Sequence, residues 1–234
     1  MTKFETLFGI KESEVKNTCV LMPLVPKGSL ESLGVKKLSG GRVYSSGNSS
    51  SFTLINTLMG AAFTGDAALY LSQTNCKNLI LFGSCGLVKP IDNLDIGSLV
   101  APIECYSMES FSDLLLKNHN FKAFYPDEGL LGSFLKINKS VREVSCATLG
   151  SLKLEEDYLG MFSEKNIQVV DMECSGFFSA AGQKNLRAMA VFYISDIINE
   201  KPFYKPLIDK DRVRLSSSIK EGIYSIRSFT EKLL

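Results

Sequence analysis

Residues 78–86 read Asn78-Leu79-Ile80-Leu81-Phe82-Gly83-Ser84-Cys85-Gly86. The first half has the length and continuity of a strand buried on both faces, and the second half has the composition of a turn. A continuous rather than alternating apolar run is what a sheet covered by helices on both sides requires. Other stretches repeat the pattern. Thr18-Cys19-Val20-Leu21-Met22 reads as a buried strand stopped by Pro23 and Pro26, and residues 187–194 as a strongly apolar strand ending at Ser195-Asp196. Residues 42–45 and 51–58 read as two strands joined by a turn at Gly47-Asn48-Ser49. Residues 96–103 and 167–170 supply two more.

Between these runs lie helical patterns. Residues 65–74 place Ala68, Leu69 and Leu71 on or near one face, and residues 154–165 read as a helix. The segment from Cys174 carries Ser175, Gly176, Ser179, Ala180, Ala181 and Gly182, small enough for close packing. The last segment sets Ile219, Ile223, Ile226 and Leu233 at helical spacing. Residues 106–140 are the least regular, and are expected to be loops plus a short strand. Strands alternating with helices, with no linker between two compositions, predict an α/β fold in one domain over residues 1–234.

Composition narrows the function. Against 26 basic side chains stand 25 acidic ones, a formal net charge of +1. So neutral a chain lacks the electrostatic footprint of a nucleic-acid or anionic-membrane binder. No apolar run approaches the ~18 residues that span a bilayer. Residues 1–16 carry three glutamates and no apolar core, unlike a secretory signal. The six cysteines are widely spaced with no CxxC pair, which is not zinc spacing; reduced thiols in a cytoplasm are the simplest expectation. The one histidine, His119, cannot make a two-histidine zinc helix. It has no GxSxG partner for a Ser-His-Asp triad either, and is read as solvated. No metal site is expected.

Three strand ends carry something other than a plain turn. In Gly83-Ser84-Cys85-Gly86, glycines let backbone N–H groups approach an anion or sugar, and Ser84 adds a hydroxyl; alone, such a pair is as readily a tight turn. In Val170-Asp171-Met172-Glu173-Cys174, two carboxylates flank a methionine where a strand becomes a helix, which also suits a helix cap. In Tyr193-Ile194-Ser195-Asp196, a carboxylate follows an apolar strand, whose dry surroundings raise its pKa; an Asx-turn is the local alternative.

Taken together and in this order, the three segments resemble the nucleoside phosphorylase/nucleosidase superfamily of purine nucleoside phosphorylases and methylthioadenosine nucleosidases. That family carries a "GS/T-x-G" turn, a "V-x-MEx-(A/S)" corner and a "(V/I)SD" strand end. Met59-Gly60 looks like the tail of its "GMG" turn. The resemblance spans roughly residues 18 to 200 and implies a three-layer α/β sandwich with a central mixed sheet. It also implies cleavage of an N-glycosidic bond, which develops positive charge on the ribose and negative charge on the leaving base. Asp196 would protonate or hydrogen-bond purine N7. Glu173 would accept from the ribose hydroxyls, with Met172 packed on the sugar. Ser84 would lie near the nucleophile. Gly60, Gly83 and Gly86 would let backbone come close, and Ser195 would join the substrate-binding set. The implied partner is a small-molecule nucleoside, with no cofactor beyond inorganic phosphate as a possible co-substrate, in a cytoplasmic homo-oligomer.

The nucleophile end departs from the family pattern. The "GDPxR" turn and the arginine before the glycine-serine turn are replaced by Met22-Pro23-Leu24-Val25-Pro26-Lys27-Gly28 and Leu79-Ile80-Leu81-Phe82. Only Lys27 could pair with an anion there. The hydrolase branch's "GAM" turn and glutamate are missing too, with Glu31 the nearest candidate. The acceptor, phosphate or water, stays open with a lean to water. A catalytically degenerate nucleoside-binding protein of the same fold is the alternative.

Overall fold

The computed structural model describes residues 1–110, 116 and 121–234. Its spine is a ten-stranded mixed sheet. Strand β1 (Thr18–Met22) lies between β4 (Thr53–Asn56) and β5 (Asn78–Leu87), parallel to both. Short strands β2 (Ser39–Gly40) and β3 (Ser45–Asn48) extend the β4 edge in antiparallel fashion. On the other side of β5 the sheet closes on itself. Strand β10 (Arg187–Ile197) pairs with β5 and with β6 (Leu99–Ser107); β6 pairs with β8 (Arg142–Thr148), β8 with β9 (Val169–Asp171), and β9 returns to β5. Strand β7 (Ala123–Phe124) hangs off β6.

The continuous apolar strands divide their side chains between two layers, as the period of two demands. Cys19 and Leu21 of β1, Leu79 and Leu81 of β5, and Ala188, Ala190 and Phe192 of β10 share one core with helices α3 (Ala61–Leu71) and α7 (Cys174–Gln183). The alternate residues Val20, Met22, Ile80, Phe82, Met189 and Val191 face α4 (Glu128–Ile137) and the closing helix α8 (Asp209–Glu231). These are the three layers that the sequence implies. A third core, around Val88, Leu154, Tyr158, Phe162 and Ile198, is covered by α5 (Leu152–Asp157) and α6 (Leu159–Glu164). The remaining helices, α1 (Lys3–Phe8) and α2 (Ser29–Ser32), are short.

Several sequence expectations are corrected. Residues 83–86 are not a turn: β5 runs through them to Leu87, because Gly83, Ser84, Cys85 and Gly86 each find a backbone partner in β10. Residues 195–196 likewise sit inside β10, with the register slipping between Ile194 and Asp196. The hairpin turn lies at Ser49–Phe52, closed by Ser49 N–H on the Phe52 carbonyl, and Gly47 is in the strand. The stretch read as loops contains helix α4, and β8 follows it unforeseen. The helix expected over residues 154–165 is two, broken at Tyr158. Leu69 is turned to solvent, whereas Ala68 and Leu71 are buried. His119 lies outside the described residues. Among the described residues no helix is long and apolar enough to cross a membrane.

The small residues of α7 do what their size permits. A Cβ on Gly176 would stand 2.5 Å from the carbonyl oxygen of Ala61, so α3 and α7 touch backbone to backbone. Gly176→Ala is expected to destabilise the fold by about 1–3 kcal/mol, the usual cost of overpacking. Urea unfolding reads the loss directly.

Candidate active site

A cavity of about 370 Å³ opens where the carboxyl ends of β1 and β5 meet β10 and the β9–α7 corner. It is lined by Gly83, Ser84, Gly86, Met172, Glu173, Ser195 and Asp196, together with Pro23, Leu24, Met59, Leu152, Glu155, Asp171, Tyr193 and Phe203. The structure thus gathers at one cavity every residue to which the family resemblance gives a role, except Gly60. That glycine stands one step behind the wall, its N–H donating to Glu173 Oε1 at 2.7 Å.

Strand pairing sets the spacing. Gly86 is the register partner of Asp196 on one side and of Val170 on the other. A Cβ there would come within 3.3 Å of Asp196 Oδ2 and of Val170 Cγ2, so any larger residue crowds the carboxylate. Asp196 Oδ1 accepts from the Ser195 hydroxyl at 2.6 Å, and the same hydroxyl also lies 3.2 Å from the Cys85 carbonyl. Asp196 is buried, and burial holds its carboxyl above the usual range despite the opposing Ser195 bond. Ser84 is the register partner of Tyr193, whose ring lies tilted against Phe82.

The β9–α7 corner separates its two acids by task. Asp171 Oδ2 accepts from the backbone N–H groups of Glu173 (3.0 Å) and Cys174 (2.7 Å), while Oδ1 takes the Thr148 hydroxyl at 2.5 Å. It caps the start of α7 and ties it to β8. Glu173 is left free to face the cavity. It is 5% exposed, and burial raises its carboxyl against the stabilising Gly60 N–H. The turn that delivers that N–H is strained: Leu58 sits at φ 64° and Gly60 at φ 115°.

Sequence reasoning missed two contributors. Glu155, on α5, is 8% exposed and lines the cavity. Burial, then the charge of Asp196, pushes it up to about 7. Phe203 closes the mouth from the segment before α8. Of the aromatic residues Phe177, Tyr193 and Tyr204, Tyr193 lines the cavity. Phe177 is locked in the core and Tyr204 is 64% exposed. Neither the anion-pairing candidate nor the water-orienting one arrives: Lys27 lines a separate groove with Arg212 and Lys220, and Glu31 another. Arg42 and Arg142 are exposed and line none of these cavities. No lysine, arginine or histidine among the described residues lines the cavity, while four carboxyl groups do.

At and behind the cavity wall, Cys105, Cys146 and Asp171 place their donor atoms within 4.8 Å of one another, close enough that they could hold a metal ion, a proximity that linear spacing did not announce. Its members are already bonded among themselves and their neighbours. Cys105 meets the Thr148 hydroxyl at 3.1 Å, and Cys146 lies 3.6 Å from an Asp171 oxygen that Thr148 also holds. All six cysteines are buried free thiols.

The family model described as the phosphorylase superfamily matches residues 26–213. The chain belongs to this superfamily. Among curated relatives, the DeoD-type purine nucleoside phosphorylase of Buchnera aphidicola is 24% identical over 146 residues, 58% of this chain and 61% of that protein. The Chromobacterium violaceum enzyme of the same name is 25% identical over 129 residues, 52% of each chain. This superfamily member thus spans little more than half the length of the curated relatives it matches. Solved structures match more fully. Uridine phosphorylase from Vibrio fischeri superposes with a TM-score of 0.75 at 15% identity, covering 95% of both chains. The AMP nucleosidase of Bacteroides thetaiotaomicron gives 0.69 at 17%, covering 94% of this chain and 95% of that one. The Campylobacter jejuni 5'-methylthioadenosine/S-adenosyl homocysteine nucleosidase gives 0.70 at 16%, covering 93% and 99%. At such identities these neighbours establish the phosphorylase-superfamily fold.

Proposed function

We propose that this protein cleaves the N-glycosidic bond of a purine-type nucleoside, with water favoured over phosphate as acceptor. The carrying observation is the pair Asp196 and Glu173, two buried carboxyls presented to one cavity, the first from β10 and the second from the β9–α7 corner, beside β5. Asp196, whose protonated form burial favours, donates to the purine N7 and turns the base into a better leaving group. Glu173 keeps one oxygen on Gly60 N–H and offers the other to the ribose 2′- and 3′-hydroxyls. Met172 packs against the sugar, and Ser84, with the backbone of Gly83 and Gly86, faces the acceptor side. The purine-acting names of the curated relatives support the choice of base.

The acceptor follows from charge. A phosphate dianion needs guanidinium or ammonium partners, and the cavity offers carboxylates instead. Each missing charge-assisted bond is worth roughly 1.5–3 kcal/mol, so losing two weakens phosphate binding by about 10²–10⁴. A nucleoside panel, assayed by chromatography for free base and ribose 1-phosphate, tests this. Adding about 50 mM phosphate is expected to raise turnover less than about threefold. Strict phosphate dependence with stoichiometric ribose 1-phosphate would overturn the preference for water.

The same lack of an acceptor ligand favours a second reading, a nucleoside-binding protein that does not turn its ligand over. Release of free base decides between the two. We place the protein in the cytoplasm as a homo-oligomer of one-domain subunits needing no cofactor. Leu24 and Met59 at the cavity rim, and Leu58 and Phe63 beside Met59, are exposed apolar side chains that support a subunit interface there.

A further inference from the structure

Three adjacent strands gather thiols and a carboxyl on a single face of the sheet. Cys105 of β6 is the parallel register partner of Cys146 on β8, so both side chains leave the sheet on the same side. Two residues further along β8, Thr148 is the register partner of Asp171 on β9. The period of two therefore aligns all four. Helix α7 covers this face, beginning with Cys174, which adjoins the Cys105 thiol. Cys105, Cys146 and Asp171 are buried. A buried carboxyl is ordinarily matched by a cation or a metal ion, yet no lysine, arginine or histidine forms a salt bridge with Asp171 among the described residues. Protons take that place instead. The Cys146 thiol donates to Asp171 Oδ1 at 3.6 Å, and Cys105 Sγ lies 3.1 Å from the Thr148 hydroxyl.

We propose that this cluster is a structural site for a soft divalent cation, Zn²⁺ above all, held by Cys105, Cys146 and Asp171 with Cys174 placed to complete the set. The dimensions fit. Zinc–thiolate bonds of about 2.3 Å put tetrahedral ligands roughly 3.8 Å apart. Cys146 and Asp171 already stand 3.6 Å apart, and all three donor atoms lie within 4.8 Å of one another. The donor set also chooses the ion, because thiolates favour zinc or cadmium over magnesium or calcium. Asp171 lines the cavity, which gives the ion a way in. On binding, each thiol releases its proton to solvent as its sulfur–metal bond forms, and nothing is oxidised or reduced. Asp171 meets the ion through Oδ1 and keeps Oδ2 on the N–H groups of Glu173 and Cys174. The ion thus clamps β6, β8 and β9 together beneath the corner that carries Glu173, without undoing the cap of α7. It takes no part in the reaction.

The test titrates the full chain, reduced and freed of metal, with Zn²⁺ against a chromophoric chelator and with Cd²⁺ in the ultraviolet, where cadmium–thiolate bonds absorb. One ion per chain is expected, with a cadmium–thiolate band and a raised unfolding temperature. Mg²⁺ at the same concentration should produce neither. Cys105→Ser and Cys146→Ser should each weaken Zn²⁺ binding by at least about 100-fold and diminish the band, since loss of a ligand costs at least as much as loss of its supporting bonds. Cys19→Ser, which removes an equally buried thiol from β1, should change neither. Thermal unfolding without metal verifies each fold, and Cys146→Val, apolar and of similar size, replaces any serine variant that does not fold. Absence of binding, or binding without a thiolate band, would overturn the site. So would an affinity that survives loss of Cys105 and of Cys146, the mark of an adventitious ion only, or one that falls with Cys19 instead.

Discussion

Asp196→Asn is expected to leave the fold intact and to lower kcat by about 10²–10⁴-fold, the worth of a positioned general acid. The asparagine oxygen can keep the Ser195 hydroxyl bond that Asp196 Oδ1 now accepts, and the amide still reaches the purine N7. What disappears is the transferable proton. The loss should therefore shrink on nucleosides whose base already leaves well. The pH profile carries the same signature. Burial raises the Asp196 pKa, so the donating form is fully present below its ordinary range and is lost as pH climbs through the raised value. Activity should fall on the alkaline side in wild type, with that limb absent from the residual activity of the variant. Steady-state rates across pH, with free base quantified by chromatography, check both points. Wild-type rates in the asparagine variant would remove Asp196 from the mechanism.

Glu173→Gln should cost about 10–10²-fold in kcat/KM on ribonucleosides and far less on 2′-deoxyribonucleosides. The carboxylate has two acceptor oxygens, one spent on Gly60 N–H and one facing the cavity. An amide turned to satisfy Gly60 with its oxygen presents its NH₂ to the sugar instead. The charge-assisted bond to the ribose hydroxyl, worth roughly 1.5–3 kcal/mol, is then lost. A sugar lacking that hydroxyl never made the bond. The ratio of the two substrate classes is thus the diagnostic quantity, and equal losses on both would count against the ribose assignment.

How far the sequence could be read depended on how local each signal was. Thr18–Met22 matched its observed strand because an apolar run bounded by Pro23 is a complete local statement. Gly83 to Gly86 misled because glycines signal a turn until a partner strand is present, and their partners lie more than a hundred residues on, in β10. The same long-range pairing placed Ser195 and Asp196 inside a strand. The ordered motifs nevertheless led to one cavity, since residue type and order survive an error in local conformation. Glu155 was illegible for the opposite reason. It stands in Leu154-Glu155-Glu156-Asp157, which reads as a solvated helix face until α5 folds over the cavity. The Cys105–Cys146 neighbourhood depends on parallel register between β6 and β8, which no spacing along the chain encodes.

The closure of the sheet around β5 bears on how such a protein can change over generations. Asp196 and the Val170 corner are both referenced to Gly86, so the two are held about two strand spacings, roughly 10 Å, apart by backbone pairing. A side-chain substitution cannot lengthen that interval. Another part of the cavity wall is formed by Pro23, Leu24 and Met59, in segments that follow β1 and β4 and lie beyond their ladders. Those unpaired loops can therefore be rewritten while the strand pairing that spaces Asp196 from Val170 stays as it is. An engineer inherits the same freedom: a cation introduced at position 24 or 59 changes the charge lining the cavity without touching the ring of strands around it.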